Sequence, residues 1–467
     1  MFTKEEIEIQ KAKDDAEIKT YWKNVEKILD EKCDKITAEK IVDALKNYFK
    51  DVFSGDLAAW LANLYDYETG GFYYSNSARD NDGFLPDLES TEQAMGWLFG
   101  RAIKSESNNT ISTFYPDWMQ KRVIKFVKER QDENGYFYHP QWPRELTDSK
   151  PHRRGRDLTW ACNILRWFDE SPTYDTPSGI KGNGLLWDGT RVDNFSHREF
   201  DEVSAPKEEL VAPHLKDKES FIAYLETFDL KERSYGTSNT LESQAYQFVA
   251  RDKVLAAMGA DYSLCDILVD WFEKHQDPST GLFTFKEPNA SGVNGLMKAS
   301  SAVYKIQRPY PNALRGIESA IKVIEGDDFM ASVCFVMNPL CAINTLLASN
   351  KKYGKDPDEG DKYRKYIFDR AIDMIEATKK RILAFKKPDG SFSYEPHNSS
   401  VTSQGHPVAV LNTDEGDMNA TIIGSGAIIT HLLNIFGLPC RPIFTGADVM
   451  RFMNIVESKK TEALSKV

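Results

Sequence analysis

The stretch Gln131-Asp-Glu-Asn-Gly-Tyr-Phe-Tyr138 decides how this chain reads, because it occurs in four versions. Tyr65-Asp-Tyr-Glu-Thr-Gly-Gly-Phe-Tyr-Tyr74, Gln276-Asp-Pro-Ser-Thr-Gly-Leu-Phe-Thr-Phe285 and Lys387-Pro-Asp-Gly-Ser-Phe-Ser-Tyr394 share its plan of an acid, a glycine and then aromatic side chains. Glycine reaches positive φ without steric cost and Asp satisfies nearby backbone N–H groups, so each stretch predicts a tight turn. Helical runs precede two of them, Met119-Val123-Phe126-Val127 and Ile267-Leu268-Trp271-Phe272. The turns therefore mark helix exits, and the aromatics after them are expected to wedge between neighbouring helices. Self-similarity of this kind signals one structural unit used repeatedly.

Helical periodicity dominates in both directions from these turns. Residues 1–50 predict two charged amphipathic helices, one placing Tyr21, Val25, Ile28 and Leu29 on a face, the other Ile41, Val42, Leu45 and Phe49 after a start near Thr37 and Ala38. After each turn and its loop, an inner helix is expected to open on an acid and soon reach alanine: Glu89 and Ala94, Asp157 and Ala161, Glu242 and Ala245, Asp327 and Ala331, Asp417 and Ala420. Two openings nearly repeat, Leu88-Glu-Ser-Thr-Glu-Gln-Ala94 and Leu241-Glu-Ser-Gln-Ala245. The expectation is an all-α chain of alternating outer and inner helices, about a dozen at ordinary helix and loop lengths. Residues 1–50 form a helical extension packed on a single unit at 51–467. A long insertion at about 175–240, marked by Pro177, Gly179, Gly182 and Gly184, reads as a lid over one rim, and residues 351–361 as an exposed polar loop.

The turns at 131–137 and 276–283 resemble the Gln/Asp…Gly-aromatic turns of the α/α-toroid superfamily. That group includes terpene cyclase and prenyltransferase toroids and the six-hairpin barrels of glycoside hydrolases and polysaccharide lyases. The likeness covers roughly residues 50–440 and is carried by repeat style rather than by one family's motif. It implies an (α/α)6-type toroid with a funnel at one end, lined by loops and the starts of inner helices.

The 467 residues carry a formal charge of −12, which argues against nucleic acid as a partner because phosphate binding needs a basic face. Arg144, Lys150, His152, Arg153, Arg154 and Arg156 form one basic patch, either an ion-pair network or a recognition site for carboxylate, sulfate or phosphate. No apolar run is read as a membrane helix and residues 1–8 hold no apolar signal core, so the expected setting is cytoplasmic, away from the membrane. Six cysteines without paired short spacings predict reduced thiols, and eight dispersed histidines predict no metal site and no cofactor.

The densest polar stretch runs from Ser75 to Glu92 and gathers Arg79, Asp80, Asp82, Asp87, Glu89 and Glu92. Helix capping by Asp87 or Ser90 accounts for part of it. Glu89 is the preferred catalytic residue, with Glu242 as its counterpart. A second concentration, Asn412-Thr-Asp-Glu-Gly-Asp-Met-Asn-Ala420, holds Asp414, Glu415 and Asp417 after His397 and His406. It lacks the Gly and terminal Glu of a calcium loop and the Asp-x-Asp-Asp of proton-initiated cyclases, and acids gather at helix starts for electrostatic reasons alone. Asp157 stands among arginines in Arg154-Gly-Arg-Asp-Leu-Thr-Trp160, so it reads either as a structural ion pair or as a working carboxylate.

The leading reading is a hydrolase acting on an oligosaccharide. Glu89 or Glu242 would give a proton and Asp157 or Asp417 would act from the opposite rim. Arg79, Asp82, Arg154, Arg156, Trp160 and Asp414 would hold the sugar. A lyase acting on uronate sugars would instead use Tyr304 or Tyr310 with Arg308 and the basic patch. An isoprenoid cyclase or prenyltransferase would need an apolar, aromatic-lined cavity. A toroid used only for binding is the fourth reading, and fold likeness cannot choose among them.

Overall fold

The computed structural model describes residues 1–104, 106–198, 211–284, 287–356 and 359–466. Phe285 of the third turn, residues 199–210 of the expected insertion and residues 357–358 of the polar loop lie outside the described residues. Helices hold 61% of the chain, and one two-stranded hairpin, Thr402–Ser403 with His406–Pro407, is the longest strand pairing among the described residues; the protein is all-α.

Two long helices, α1 (Lys4–Asp30) and α2 (Lys35–Val52), lead into a succession of pairs. First come α3 (Leu57–Leu64), the single-turn α4 (Asn76–Arg79) and α5 (Leu88–Arg101). Next are α6 (Ile111–Phe114), α7 (Asp117–Lys128), α8 (Arg144–Asp148) and α9 (Pro151–Trp167). Then follow α10 (Lys218–Leu225) with α11 (Leu230–Ala257), α12 (Leu264–His275) with α13 (Ala290–Lys305), and α14 (Ala313–Glu325) with α15 (Val333–Tyr353). After α16 (Glu359–Asp369), α17 (Ala371–Leu383) is followed by α18 (Met418–Ile422), which continues through a π-helical stretch, Ile423–Ala427, into α19 (Ile428–Ile435). The last helix is α20 (Gly446–Ser465).

The later member of each pair packs on its counterparts: α9 on α5, α5 on α18, α19 on α15, α15 on α13 and α13 on α11. The earlier members pack behind them, with α7 against α9, α12 against α11, α14 against α15 and α17 against α14. Small residues allow this closeness: a Cβ on Gly295 of α13 would stand 2.3 Å from the Ser234 hydroxyl of α11. Of the two opening helices, α2 packs on α17 and α1 on α20.

All four turn glycines, Gly70, Gly135, Gly281 and Gly390, have positive φ, between 67° and 91°. The acid of each turn accepts a backbone N–H two or three residues on, as Asp132 does from Asn134 at 2.9 Å and Asp277 from Ser279 at 2.8 Å. Each turn also butts against a neighbouring segment too closely for any side chain. A Cβ at Gly70 would lie 2.4 Å from Arg122 O, at Gly135 2.2 Å from Asp175 O, and at Gly281 2.6 Å from Gly316 N. The fourth turn rests on the start of α3, where a Cβ on Gly55 would meet Gly390 N at 2.7 Å. The turns thus do more than end helices; they join each one to the next.

Several boundaries differ from the sequence reading. Asp157 lies in the second turn of α9, Glu242 lies midway along α11, and Asp327 precedes α15, whose cap is Ser332; none of the three opens a helix. Residues 230–240, assigned to the insertion, are the first turns of α11, which kinks at Arg233. The expectation that no stretch is long and apolar enough to cross a membrane also needs correction. Val333–Tyr353 and Met418–Ile435 both pass on length and composition, and more than half of each is buried in the fold.

Candidate functional site

Turns one and four build the same junction. Phe72 N–H donates to Thr91 Oγ1 at 3.0 Å and Asp87 N–H to Phe72 O; Phe392 N–H donates to Thr421 Oγ1 at 3.0 Å and Asp417 N–H to Phe392 O. Asp87 and Asp417 are therefore equivalent cap residues of α5 and α18, and the equivalence of Glu89 with Asp417 is displaced by two positions. Asp417 is fully buried and accepts the N–H groups of Ala420 at 2.8 Å, Tyr394 at 3.1 Å and Ser400 at 3.1 Å. Burial pushes its carboxyl up to about 6, against those three donors. With its oxygens engaged by backbone, Asp417 is a structural cap.

Two residues beyond Asp87, the helix turns Glu89 toward Arg153 of α9, and a buried charge cluster forms. Arg153 has no solvent exposure; its Nη1 donates to Glu89 at 2.8 Å, its Nε to both Asp157 oxygens at 3.0 and 3.1 Å, and its Nη2 lies 3.5 Å from Asp87. The guanidinium carbon lies 4.7 Å from the centre of the Trp142 ring and 5.3 Å from that of Trp160. Ser403, from the small hairpin, donates to Glu89, and His406 of the same hairpin meets Thr147 at 3.1 Å. His139 stands with Nε2 3.6 Å from Asp157, and burial pulls its ring below the ordinary histidine value.

Burial, opposed by Arg153, pushes Glu89 up to about 7, whereas Asp157, equally buried, is held below the usual carboxylate range by Arg153 and by His139. Two acids on one arginine are thus driven apart. The shift has a stability consequence. A carboxyl raised on folding stabilises the native state fully below about pH 4.5, and that stabilisation is lost as pH climbs through 7. Glu89 alone should contribute a fall of about 3 kcal/mol across that window. Urea midpoints at about pH 5 and about pH 8 should therefore converge in Glu89→Gln relative to the parent protein.

A series of polar side chains links neighbouring helices. Glu92 accepts from Asn163 at 3.1 Å, Gln93 lies 3.4 Å from Asn419, Arg101 donates to Thr430, and Asn344 meets His431 at 3.2 Å. All eight side chains are half-buried and link adjacent helices. Trp160 and Trp167 of α9 are also half-buried, and a Cβ on Gly96 of α5 would stand 3.1 Å from the Trp167 ring.

Other expected site residues are dispersed. Glu242 is claimed by Lys298 at 2.9 Å, Lys305 at 2.8 Å and Ser301 at 2.7 Å, which hold its carboxyl below the ordinary value, and it shares no partner with Glu89. A carboxylate stabilised as an anion in this way is a poor proton donor. Arg79 binds its neighbour Asp80, Asp82 is exposed, Arg154 binds Asp148 at 2.8 Å, Arg156 is exposed, and Asp414 pairs with Lys387. Tyr304 packs on Tyr353, Arg308 pairs with Asp266 on the surface, and Tyr310 is buried with its hydroxyl taking a hydrogen bond from Gln276 at 2.9 Å. Burial also pushes the Tyr310 phenol well above its ordinary value.

The partners that complete the cluster were not chosen from sequence. Arg153 appeared there only as one member of a basic patch, and His139 was not singled out. His406 appeared only as a histidine preceding the 412–420 concentration and Ser403 not at all; the hairpin brings both to the cluster. No family model, curated protein or solved structure matches the chain.

Proposed function

We propose that this protein is an α/α toroid that hydrolyses a glycosidic bond in an oligosaccharide, with Glu89 giving the proton and Asp157 remaining ionised. The packing order α9–α5–α18/α19–α15–α13–α11 is the series of six neighbours that such a ring would close between α11 and α9. One observation carries the chemistry: Arg153 holds two buried carboxyls whose environments drive them in opposite directions, Glu89 up to about 7 and Asp157 down. Divergent acids in one site are the pattern that separates a proton donor from a partner that stays charged. The half-buried Trp160 and Trp167 and the amides and carboxyls that link the neighbouring helices suit a polyhydroxylated ligand better than an isoprenoid. The buried Tyr310, its hydroxyl taking a hydrogen bond from Gln276, is poorly placed to serve an elimination, which leaves Tyr304 as the tyrosine that reading would need.

The test is release of reducing ends from a panel of natural oligosaccharides. Glu89→Gln should lower the rate by about 10²–10⁴-fold, the usual contribution of a positioned proton donor. Asp157→Asn should also depress it, with Glu242→Gln near the parent rate. An unsaturated, ultraviolet-absorbing product would replace hydrolysis by elimination, and full activity in Glu89→Gln would remove Glu89 from the reaction.

A further inference from the structure

A cleft of about 570 Å³ opens between the first two Gly-aromatic turns. Its floor includes Arg130, His139 and Trp142, and its rim includes Lys125, Asp132 and Arg144. The rim charges are satisfied: Arg144 binds Asp132 at 2.5 Å and Lys125 lies 3.7 Å from Glu129. Arg130 differs. Among the described residues it forms no ion pair; its Nη1 donates to Phe126 O at 2.6 Å, its guanidinium lies 3.5 Å from the Phe126 ring centre, and its Nε is shielded from solvent without an acceptor. Burial pulls Arg130 down to about 10, so it stays charged at neutral pH.

His139 is the second unsatisfied group. It is only 3% exposed; its Nε2 faces Asp157 at 3.6 Å, just beyond hydrogen-bond distance, and its Nδ1 has no partner among the described residues. Asp157 lies nearest Nε2, which places the proton of the neutral ring there and leaves Nδ1 as a lone-pair acceptor. A buried polar group without a partner is uncommon in a native fold, and two lining one cleft call for a ligand that satisfies both. Engagement of Nη1 with Phe126 leaves the Nε–Nη2 edge of Arg130, a planar pair of donors that matches a carboxylate. An acceptor nitrogen matches a hydroxyl.

We propose that this cleft binds a small hydroxylated carboxylate of the sugar-acid class, its carboxylate on Arg130 and a hydroxyl donating to His139 Nδ1. The cleft shares His139 and Trp142 with the surroundings of the Arg153 cluster, but binding here is measured without turnover, so its failure is distinguishable from failure of the hydrolytic reading.

Calorimetric titration of the full chain with D-glucuronate, D-glucose and acetate tests it. D-glucuronate should bind one per chain with a Kd of about 1 mM, acetate more weakly because it lacks the hydroxyl, and D-glucose without saturation. Arg130→Met should weaken D-glucuronate at least ~10-fold, the loss of one charge-assisted pair. Should that variant fold poorly, ring resonances of His139 in the parent protein should move on addition of D-glucuronate while those of the exposed His152 stay fixed. Equal binding of D-glucose, unchanged affinity in folded Arg130→Met, an unmoved His139, or no saturation by D-glucuronate up to about 20 mM would each overturn the site.

Discussion

Replacing Arg153 with leucine should destabilise the protein by about 3–5 kcal/mol, the range for removing one partner of a buried ion pair. Among the described residues the arginine is the only side chain always charged at neutral pH that touches Asp87, Glu89 and Asp157, and all four side chains are essentially sealed from water. Leucine restores some of the volume and none of the charge. The acids would then keep their ionised forms only at a large desolvation cost, so they would take up protons instead. That gives the variant a signature that a packing defect lacks: its urea midpoint should recover as pH falls toward about 5, with the acids neutralised. Arg153→Lys should recover only part of the loss, since one ammonium cannot span three carboxyls as a guanidinium fork does. A loss below about 1 kcal/mol, or one that does not respond to acid, would mean that the cluster is not held together by this charge.

The second large effect is expected at Asp417. Alanine there strips acceptors from the N–H groups of Ala420, Tyr394 and Ser400, which come from three separate segments. At about 1–3 kcal/mol for each buried donor left unmade, partly offset by relaxation, the loss should be about 4 kcal/mol. Asn at the same position keeps an acceptor oxygen for the α18 cap and should lose roughly half as much. The equivalent Asp87→Ala should fall between them, because Asp87 serves the Ser90 N–H and hydroxyl and touches Arg153 only at 3.5 Å. Equal unfolding midpoints for the Ala and Asn variants of Asp417 would show that backbone capping is not its role.

The parts of the fold that were legible in the sequence are those set locally. A positive-φ glycine after an acid is a property of five or six residues, and all four such glycines occupy that conformation. Helical faces such as Ile41, Val42, Leu45 and Phe49 also declare themselves, and these four are buried in α2. What failed depended on context. Leu88-Glu-Ser and Leu241-Glu-Ser read alike, yet one follows an Asp cap and the other lies far inside a helix capped by Asp229. Charge density in 144–156 offered an ion-pair network, which Arg144, Arg153 and Arg154 form, but did not show that the position of Arg153 within its helix turns that one arginine inward while Arg156 stays exposed. The cluster joins 87–89, 139, 153–157 and 403–406, and contacts across such separations leave no pattern in a single sequence.

The seating of the fourth turn on the start of α3 bears on how the chain is made. Lys386 bonds the carbonyl of Asp51, 335 positions earlier, while α2 packs on α17 and α1 on α20. A ribosome delivers α2 long before its partner exists. At about 5–20 residues per second, the apolar face of α2 waits on the order of 20 s to a minute for α17. Throughout that interval Ile41, Leu45, Tyr48 and Phe49, all buried in the finished fold, have no native α17 surface to cover them. Polypeptides released before α17 emerges should therefore be insoluble or chaperone-bound, and shortening the chain from its far end should expose its beginning.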